Sequence, residues 1–124
     1  MAEAMLGELS HLSRVVFPAD FNQAAAVTEQ LYRTHGQFWT VVVPKADTLP
    51  DLFTPAEARR LVTDGGMLLD WAGHEPDRAL IILAAVGAYQ LGEVLAASRR
   101  LAERAVAHRV VYSARAGTFP RAAQ

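Results

Sequence analysis

The chain of 124 residues contains no cysteine. Disulfides, thiolate nucleophiles and cysteine-based zinc sites are therefore excluded. It contains a single lysine, Lys45, and every other strong base is an arginine. The formal net charge is −1, with the bases spread along the chain. No face of that composition offers the electrostatic footprint of a nucleic-acid binder or of a polybasic membrane anchor. Long apolar runs are also missing. The longest, Ala79 to Val86, falls far short of the roughly 20 residues that cross a bilayer. The opening MAEAMLGELSHL has neither a basic start nor a long apolar core, so no signal peptide is expected and a cytoplasmic protein is. Phosphate-cradling loops of the G-x-x-x-x-G-K-[ST] and G-x-G-x-x-G types are absent, as is the G-x-S-x-G nucleophile elbow.

What the chain does have is an apolar share of 52%, ample for a packed core. Residues 3–11 read as a short helix with Met5, Leu6 and Leu9 on one side. RVVFP (14–18) is a compact apolar run ended by proline, as suits a buried strand. Asp20, three residues before Gln23, marks a capped helix from Phe21 to about Thr34, with Ala24, Val27 and Leu31 recurring at helical spacing. His35-Gly36 is a natural stop, and FWTVVV (38–43) reads as the next strand. PKADTLPDLF (44–53) has two prolines and no periodicity, so it is expected to be a linker.

Thr54-Pro55-Ala56-Glu57 then starts a helix by three means: threonine caps, proline presets φ, and glutamate reaches back. Asp64-Gly65-Gly66 breaks it. MLLDW (67–71) is a possible strand, and GHEPD (73–77) a polar turn. ALIILAAV (79–86) is continuously apolar, the pattern of a strand covered on both faces. A helix from about Tyr89 to Ala105 follows, with Leu91, Val94, Leu95, Ser98, Leu101 and Ala102 as its inner stripe. HRVVYS (108–113) completes a βαβ unit whose strands should be parallel. The tail ARAGTFPRAAQ is expected to fray. The class is α/β, built from fragments of two parallel-sheet layers: residues 1–45, a linker over 46–76, and residues 77–124.

Chemically active constellations are sparse. His11, His35, His74 and His108 show no i, i+4 pairing, and each is expected to be a surface or loop histidine rather than a metal ligand. Asp20 and Glu57 are accounted for by capping, and Trp39 and Trp71 by packing. Gly87 lies after a buried strand and before a helix, where an open α/β sheet places a ligand crevice, though tight βα turns need glycine for steric reasons alone. Lys45 is the polar residue that stands out. It directly follows the strand FWTVVVP, so its ammonium should emerge at the strand's C-terminal edge as a point charge for phosphate, unless it is simply a solvated loop lysine.

Three anchors, in order, resemble the phosphoketolases, a branch of the transketolase superfamily. RVVFPADFN (14–22) is similar to their strand ending in aromatic-Pro-Pro-Asp-x-Asn. TVVVPKADTLPDLFTPAEA (40–58) is similar to their strand, Gly-Lys-Gln loop, proline-containing linker and threonine-capped helix. MLLDWAGHEPDRALIILAAVGA (67–88) is similar to their Trp-Ala-Ser-Asp/Glu segment and the strand that ends in Gly-Asp. RVVYS, within residues 109–113, stands where the family has Arg-Val-Val-Asn-Val. The chain departs from the family at Ala19, at Pro44 and Ala46 flanking Lys45, and at Ala88 in place of aspartate.

The resemblance, from about Met5 to Ser113, implies a stretch from the end of the pyrimidine-binding domain into the C-terminal transketolase-like domain. The family is thiamine diphosphate- and magnesium-dependent. It converts a ketose phosphate and inorganic phosphate into acetyl phosphate and an aldose phosphate, as homodimers with cofactor sites between subunits. The residues that hold cofactor and metal lie upstream of the matched stretch. The resemblance therefore assigns this chain no catalytic, cofactor or metal residue, and carries over Lys45 alone as a phosphate contact. It implies a segment inactive by itself that associates with another copy or with the missing upstream part of the enzyme. The alternatives are a non-catalytic dimeric binding or regulatory module descended from that enzyme, and an unrelated small ligand-binding domain with its site near Gly87.

Overall fold

The computed structural model describes residues 12–45 and 51–115. The expected helix at 3–11 and most of the expected tail lie outside them. Strand β1, Ser13–Val16, leads through Phe17 and Pro18 to Asp20, whose carboxylate accepts from the Gln23 backbone N–H at 2.8 Å. That bond satisfies one of the orphan amides of helix α1, Phe21–Arg33. The Gln23 side chain reaches back as the capping pattern requires, but its Oε1 accepts from Ala19, one residue before the cap, at 2.7 Å. The buried stripe of α1 is Gln23, Ala26 and Val27, with Ala24 and Leu31 only partly covered. Strand β2, Phe38–Val41, runs parallel to β1 in the register Ser13↔Phe38 to Val16↔Val41. It is shorter than the expected 38–43, although the Val42 N–H still donates to the Val16 carbonyl at 2.9 Å.

Helix α2, Pro55–Asp64, opens on the expected reciprocal cap: the Glu57 N–H donates to Thr54 Oγ1 at 3.2 Å, and the Thr54 N–H to Glu57 Oε1 at 3.4 Å. It closes on Gly65 in the left-handed conformation, φ 82°. A side chain other than glycine there would crowd its own backbone. Strand β3, Gly66–Leu68, is the short realised part of the MLLDW segment. After a single 3₁₀ turn at Pro76–Arg78 come strand β4, Ile81–Val86, helix α3, Gly87–Glu103, and strand β5, His108–Ser113. The strands form a parallel pair β1-β2 and a three-stranded sheet in the order β3-β5-β4. In the latter, β4 and β5 are parallel and β3 is antiparallel to β5. The βαβ unit read from the sequence is present, with α3 starting two residues earlier than expected, and its deepest residues are Leu91 and Ser98.

One expectation is overturned. The apolar run ending in β4 is not covered on both faces. Leu80 is 98% exposed and Ile82 62%, and within the strand only Ala85 is buried. The cause is position: β4 is an edge strand, hydrogen-bonded to β5 alone, and α3 covers one side of it.

The main core is a buried cluster drawn from residues between Ala19 and Ala114. It unites Ala19 and Ala26 with Phe53, Ala58 and Leu61, and with Met67, Leu69, Ala85, Leu91, Val110, Tyr112 and Ala114. Phe53 stacks at a tilt against Tyr112, their ring centroids 5.4 Å apart. Backbone bonds also cross between the sheets: the Phe17 N–H donates to the Ala114 carbonyl at 2.7 Å, and Val16 bridges Arg115.

Candidate functional site

Because β1 and β2 are parallel, their C-terminal ends share one edge, and Lys45 follows that edge four residues beyond β2. Its side chain is exposed, and among the described residues no carboxylate lies within ion-pairing distance of it. The second sheet brings the C-terminal end of its own parallel pair to the same region. Gly87, at the exit of β4, has φ 81°, and a Cβ built there would stand 3.6 Å from the Phe17 Cβ. The ends of β1 and β4 thus meet at Phe17, where open α/β sheets place their ligand crevices.

A buried polar group fastens this junction. The Tyr112 hydroxyl donates to the Phe17 carbonyl across the two sheets. Burial pushes its ionisation well above the usual tyrosine range, the Gly87 backbone and the Gln23 side chain oppose that, and the Asp20 charge adds to it. Asp20 is itself fully committed. Beyond capping α1, its second carboxylate oxygen accepts from the Leu52 and Phe53 N–H groups at 2.8 and 2.9 Å, while the Asn22 amide donates to the Phe53 carbonyl at 2.9 Å. One carboxylate therefore ties helix α1 to the segment that enters α2. Its cap role was visible at spacing i, i+3; its bonds over more than thirty residues were not. At the start of α3, where no side chain of Val86 caps the helix, Gln90 Oε1 accepts from the Val86 N–H at 3.0 Å.

The histidine expectation needs one correction. His35 is exposed and His74 partly so, but His108 is fully buried in β5. Its Nε2 lies 2.7 Å from Ser98 Oγ on α3, and its Nδ1 lies 2.9 Å from the Val106 carbonyl. Only a proton on Nδ1 suits a carbonyl partner, which leaves Nε2 to accept from the serine hydroxyl. Ser98 Oγ in turn accepts from the Gly73 N–H at 3.2 Å. The trio joins α3, β5 and the turn before the 3₁₀ segment, and it is closed to solvent. The signal that could have found it is the period-2 face His108, Val110, Tyr112, which points inward. His11 lies outside the described residues. Among those described, no group of three histidine or carboxylate side chains is arranged to hold a metal ion. Of the tryptophans, Trp39 is half-buried beneath the Arg14 guanidinium, 5.4 Å from ring to charge, and Trp71 packs its edge on Phe53.

No family model matches the sequence. Among curated proteins, the xylulose-5-phosphate phosphoketolase of Lactiplantibacillus pentosus is 35% identical over 106 residues, covering 77% of this chain. A probable phosphoketolase of Lactiplantibacillus plantarum matches equally, at 35% over 106 residues, and another from that organism is 32% identical over 102 residues. This chain is related to part of a phosphoketolase. It spans only about 13% of the length of those relatives. Its α/β fold is that of a transketolase fragment: the structure superposes on a Pichia stipitis transketolase variant complexed with fructose 6-phosphate with a TM-score of 0.63 and 23% identity. The match covers 90% of this chain and 15% of the transketolase. A Pichia stipitis transketolase complexed with sedoheptulose 7-phosphate gives the same TM-score at 21% identity. No helix among the described residues is long and apolar enough to cross a membrane.

Proposed function

We propose that this phosphoketolase-related chain is a scaffold segment of a thiamine diphosphate-dependent aldehyde-lyase of carbohydrate metabolism. The enzyme would convert a ketose phosphate and inorganic phosphate into acetyl phosphate and an aldose phosphate. The chain is inactive alone, and contributes Lys45 as a phosphate contact to a site completed by the remainder of the enzyme. The observation that carries this reading is the match to phosphoketolases over 77% of the chain but 13% of their length. The uncovered apolar surface of β4 supports it: Ile81 and Ile82 are what a strand presents when the layer meant to cover it is supplied from elsewhere. Lys45, exposed at the parallel edge and without an ion-pair partner among the described residues, supports the phosphate role because an ammonium there is open to an anion. Thiamine diphosphate and magnesium are assigned to the remainder of the enzyme, and no reaction step is assigned to them on this chain.

A specific observation favours the second reading, a dimeric binding or regulatory module derived from the enzyme: one buried cluster unites α1, α2 and the three-stranded sheet, so the chain has a core of its own. The deciding experiment replaces the matching segment of the Lactiplantibacillus pentosus enzyme with this chain and measures acetyl phosphate. The scaffold reading expects none from the chain alone and restored formation in the chimera. It also expects Lys45→Gln in the chimera to raise the KM for a phosphate-bearing substrate by about tenfold. A chimera that folds and binds cofactor yet makes no acetyl phosphate overturns it in favour of the binding module.

A further inference from the structure

Among the described residues, β4 pairs with β5 alone, so the row of backbone groups along its other side has no strand beside it. The Val86 N–H shows which residues supply that row. It donates to the Gln90 side chain at 3.0 Å, at an exposed position, and so points away from β5. Backbone groups alternate along a strand with period two, and the N–H and C=O groups of Ile82 and Ala84 therefore face the same open side. Edges of soluble proteins are normally blunted by shortness, proline or charge. The β2 edge has all three: its strand is four residues long and runs on to Pro44 and Lys45. β4 has six residues, and no proline or charged residue occurs between Arg78 and Glu93. The two ends of this bare edge differ in electrostatic character. At the entry, the 3₁₀ turn holds Asp77, wholly exposed and 4.0 Å from Arg109, while Arg78 is held by Glu75 at 3.6 Å. At the exit, α3 begins with no side-chain cap and no acid in its first turn, so it keeps the positive end of its dipole.

We propose that β4 is the docking edge for a second copy of this chain, the two β4 strands pairing antiparallel about a two-fold axis. Charge selects both the partner and the direction. Antiparallel pairing sets the Asp77 end of each copy against the uncapped α3 end of the other. Parallel pairing would set Asp77 beside Asp77, and one helix N-terminus beside the other. The edge thus carries both halves of its own match, which an unrelated strand would have to supply. The uncharged stretch between the ends lets two identical strands meet with no like charges opposed. Ile82 and Ala84 of each copy then exchange backbone hydrogen bonds with the other, and two three-stranded sheets become one of six. The pairing stands apart from the phosphoketolase reading, because acetyl phosphate formation in the chimera does not depend on it.

The test is sedimentation equilibrium of the full chain over a wide range of concentration, beside three variants. A monomer–dimer equilibrium that stops at the dimer is expected. Ala84→Pro removes an N–H from the open edge and none from the β4–β5 ladder. It should weaken dimerisation at least about tenfold while the circular dichroism spectrum is kept. Ile82→Lys should weaken it by a similar factor, since it brings like charges together across the pair. Asp77→Asn should weaken it about threefold or more, one carboxylate being lost at each end. A chain that stays monomeric at millimolar concentration overturns the proposal, as does growth beyond the dimer. Dimers that survive both Ala84→Pro and Ile82→Lys also overturn it, and move the interface to another surface. Dimers indifferent to Asp77→Asn overturn the antiparallel arrangement. If Ala84→Pro fails to fold, Ile82→Lys carries the same comparison.

Discussion

Strands β4 and β5 lie side by side, pair along their full lengths, and reverse the usual relation between composition and burial. β4 reads Ile-Ile-Leu-Ala-Ala-Val and is mostly exposed; β5 reads His-Arg-Val-Val-Tyr-Ser and is mostly buried. The other sheet repeats the contrast. β1, with a serine and an arginine, is buried, whereas β2 shows Phe38 and Val41 to solvent. The lesson is that burial here follows place in the sheet. β5 is flanked by strands on both sides and packs on α3, and β1 joins β2 on one side and the β5 exit on the other. His108 and Tyr112 survive in buried β5 because each has a partner: His108 with Ser98, and Tyr112 with the Phe17 carbonyl.

The sharpest way to break this comparison is to truncate one residue from each strand. Tyr112→Ala in β5 should cost about 3–5 kcal/mol, since it removes a fully buried ring and the bond to Phe17, and denaturant unfolding should show it as a lowered midpoint. If it proves neutral, the junction is not the centre of the core. Asp20→Ala should follow at about 2–4 kcal/mol, because three backbone N–H groups, of Gln23, Leu52 and Phe53, lose their acceptor together. Hydrogen exchange should then show the amides of Leu52 and Phe53 opening first.

Ser98→Ala, which strands His108 Nε2 and the Gly73 N–H, should cost about 1–3 kcal/mol by the same unfolding measurement. Ile82→Thr in β4 should change stability by less than about 0.5 kcal/mol, while reducing self-association seen by sedimentation at high protein concentration. A large loss of stability from Ile82→Thr would mean that the apolar edge is already covered.

Tyr112 also makes a pH prediction. Burial raises its folded-state pKa above the unfolded value near 10, so the neutral hydroxyl is the form the fold favours. The stability tied to it is complete below about pH 10 and is lost as pH rises past that point, because the unfolded chain then releases a proton that the folded chain retains. Tyr112→Phe should flatten this alkaline fall in the thermal midpoint, while lowering the midpoint at neutral pH by loss of the Phe17 bond.

Much of the secondary structure was legible because its determinants are local. The Asp20 and Thr54 caps act over three residues, and Gly65 ends α2 through its own φ. HRVVYS maps onto β5 without a shift of boundary. The candidate site was less legible. Lys45 stands out by its place after an apolar strand, but its neighbours depend on how two sheets meet. His108 read as a surface residue because histidine usually is one, and only the partner ten residues back on α3 explains its burial. Arg14 showed no sign that it would lie over Trp39, which comes from the neighbouring strand.

The sequence by itself determined where helices begin and end, that the class is α/β with a β4–α3–β5 unit, and that the chain is akin to phosphoketolases. These rest on hydrogen bonds and side-chain periods that close within a few residues, and on motifs read in order. The tertiary structure alone decided which strand of each pair is buried, that Asp20 ties α1 to the segment entering α2, and that Tyr112 joins the two sheets. It also decided that the Arg14 guanidinium lies over Trp39. Burial and charge proximity are properties of strand order and of contacts distant in sequence, and no local pattern of apolar residues encodes them.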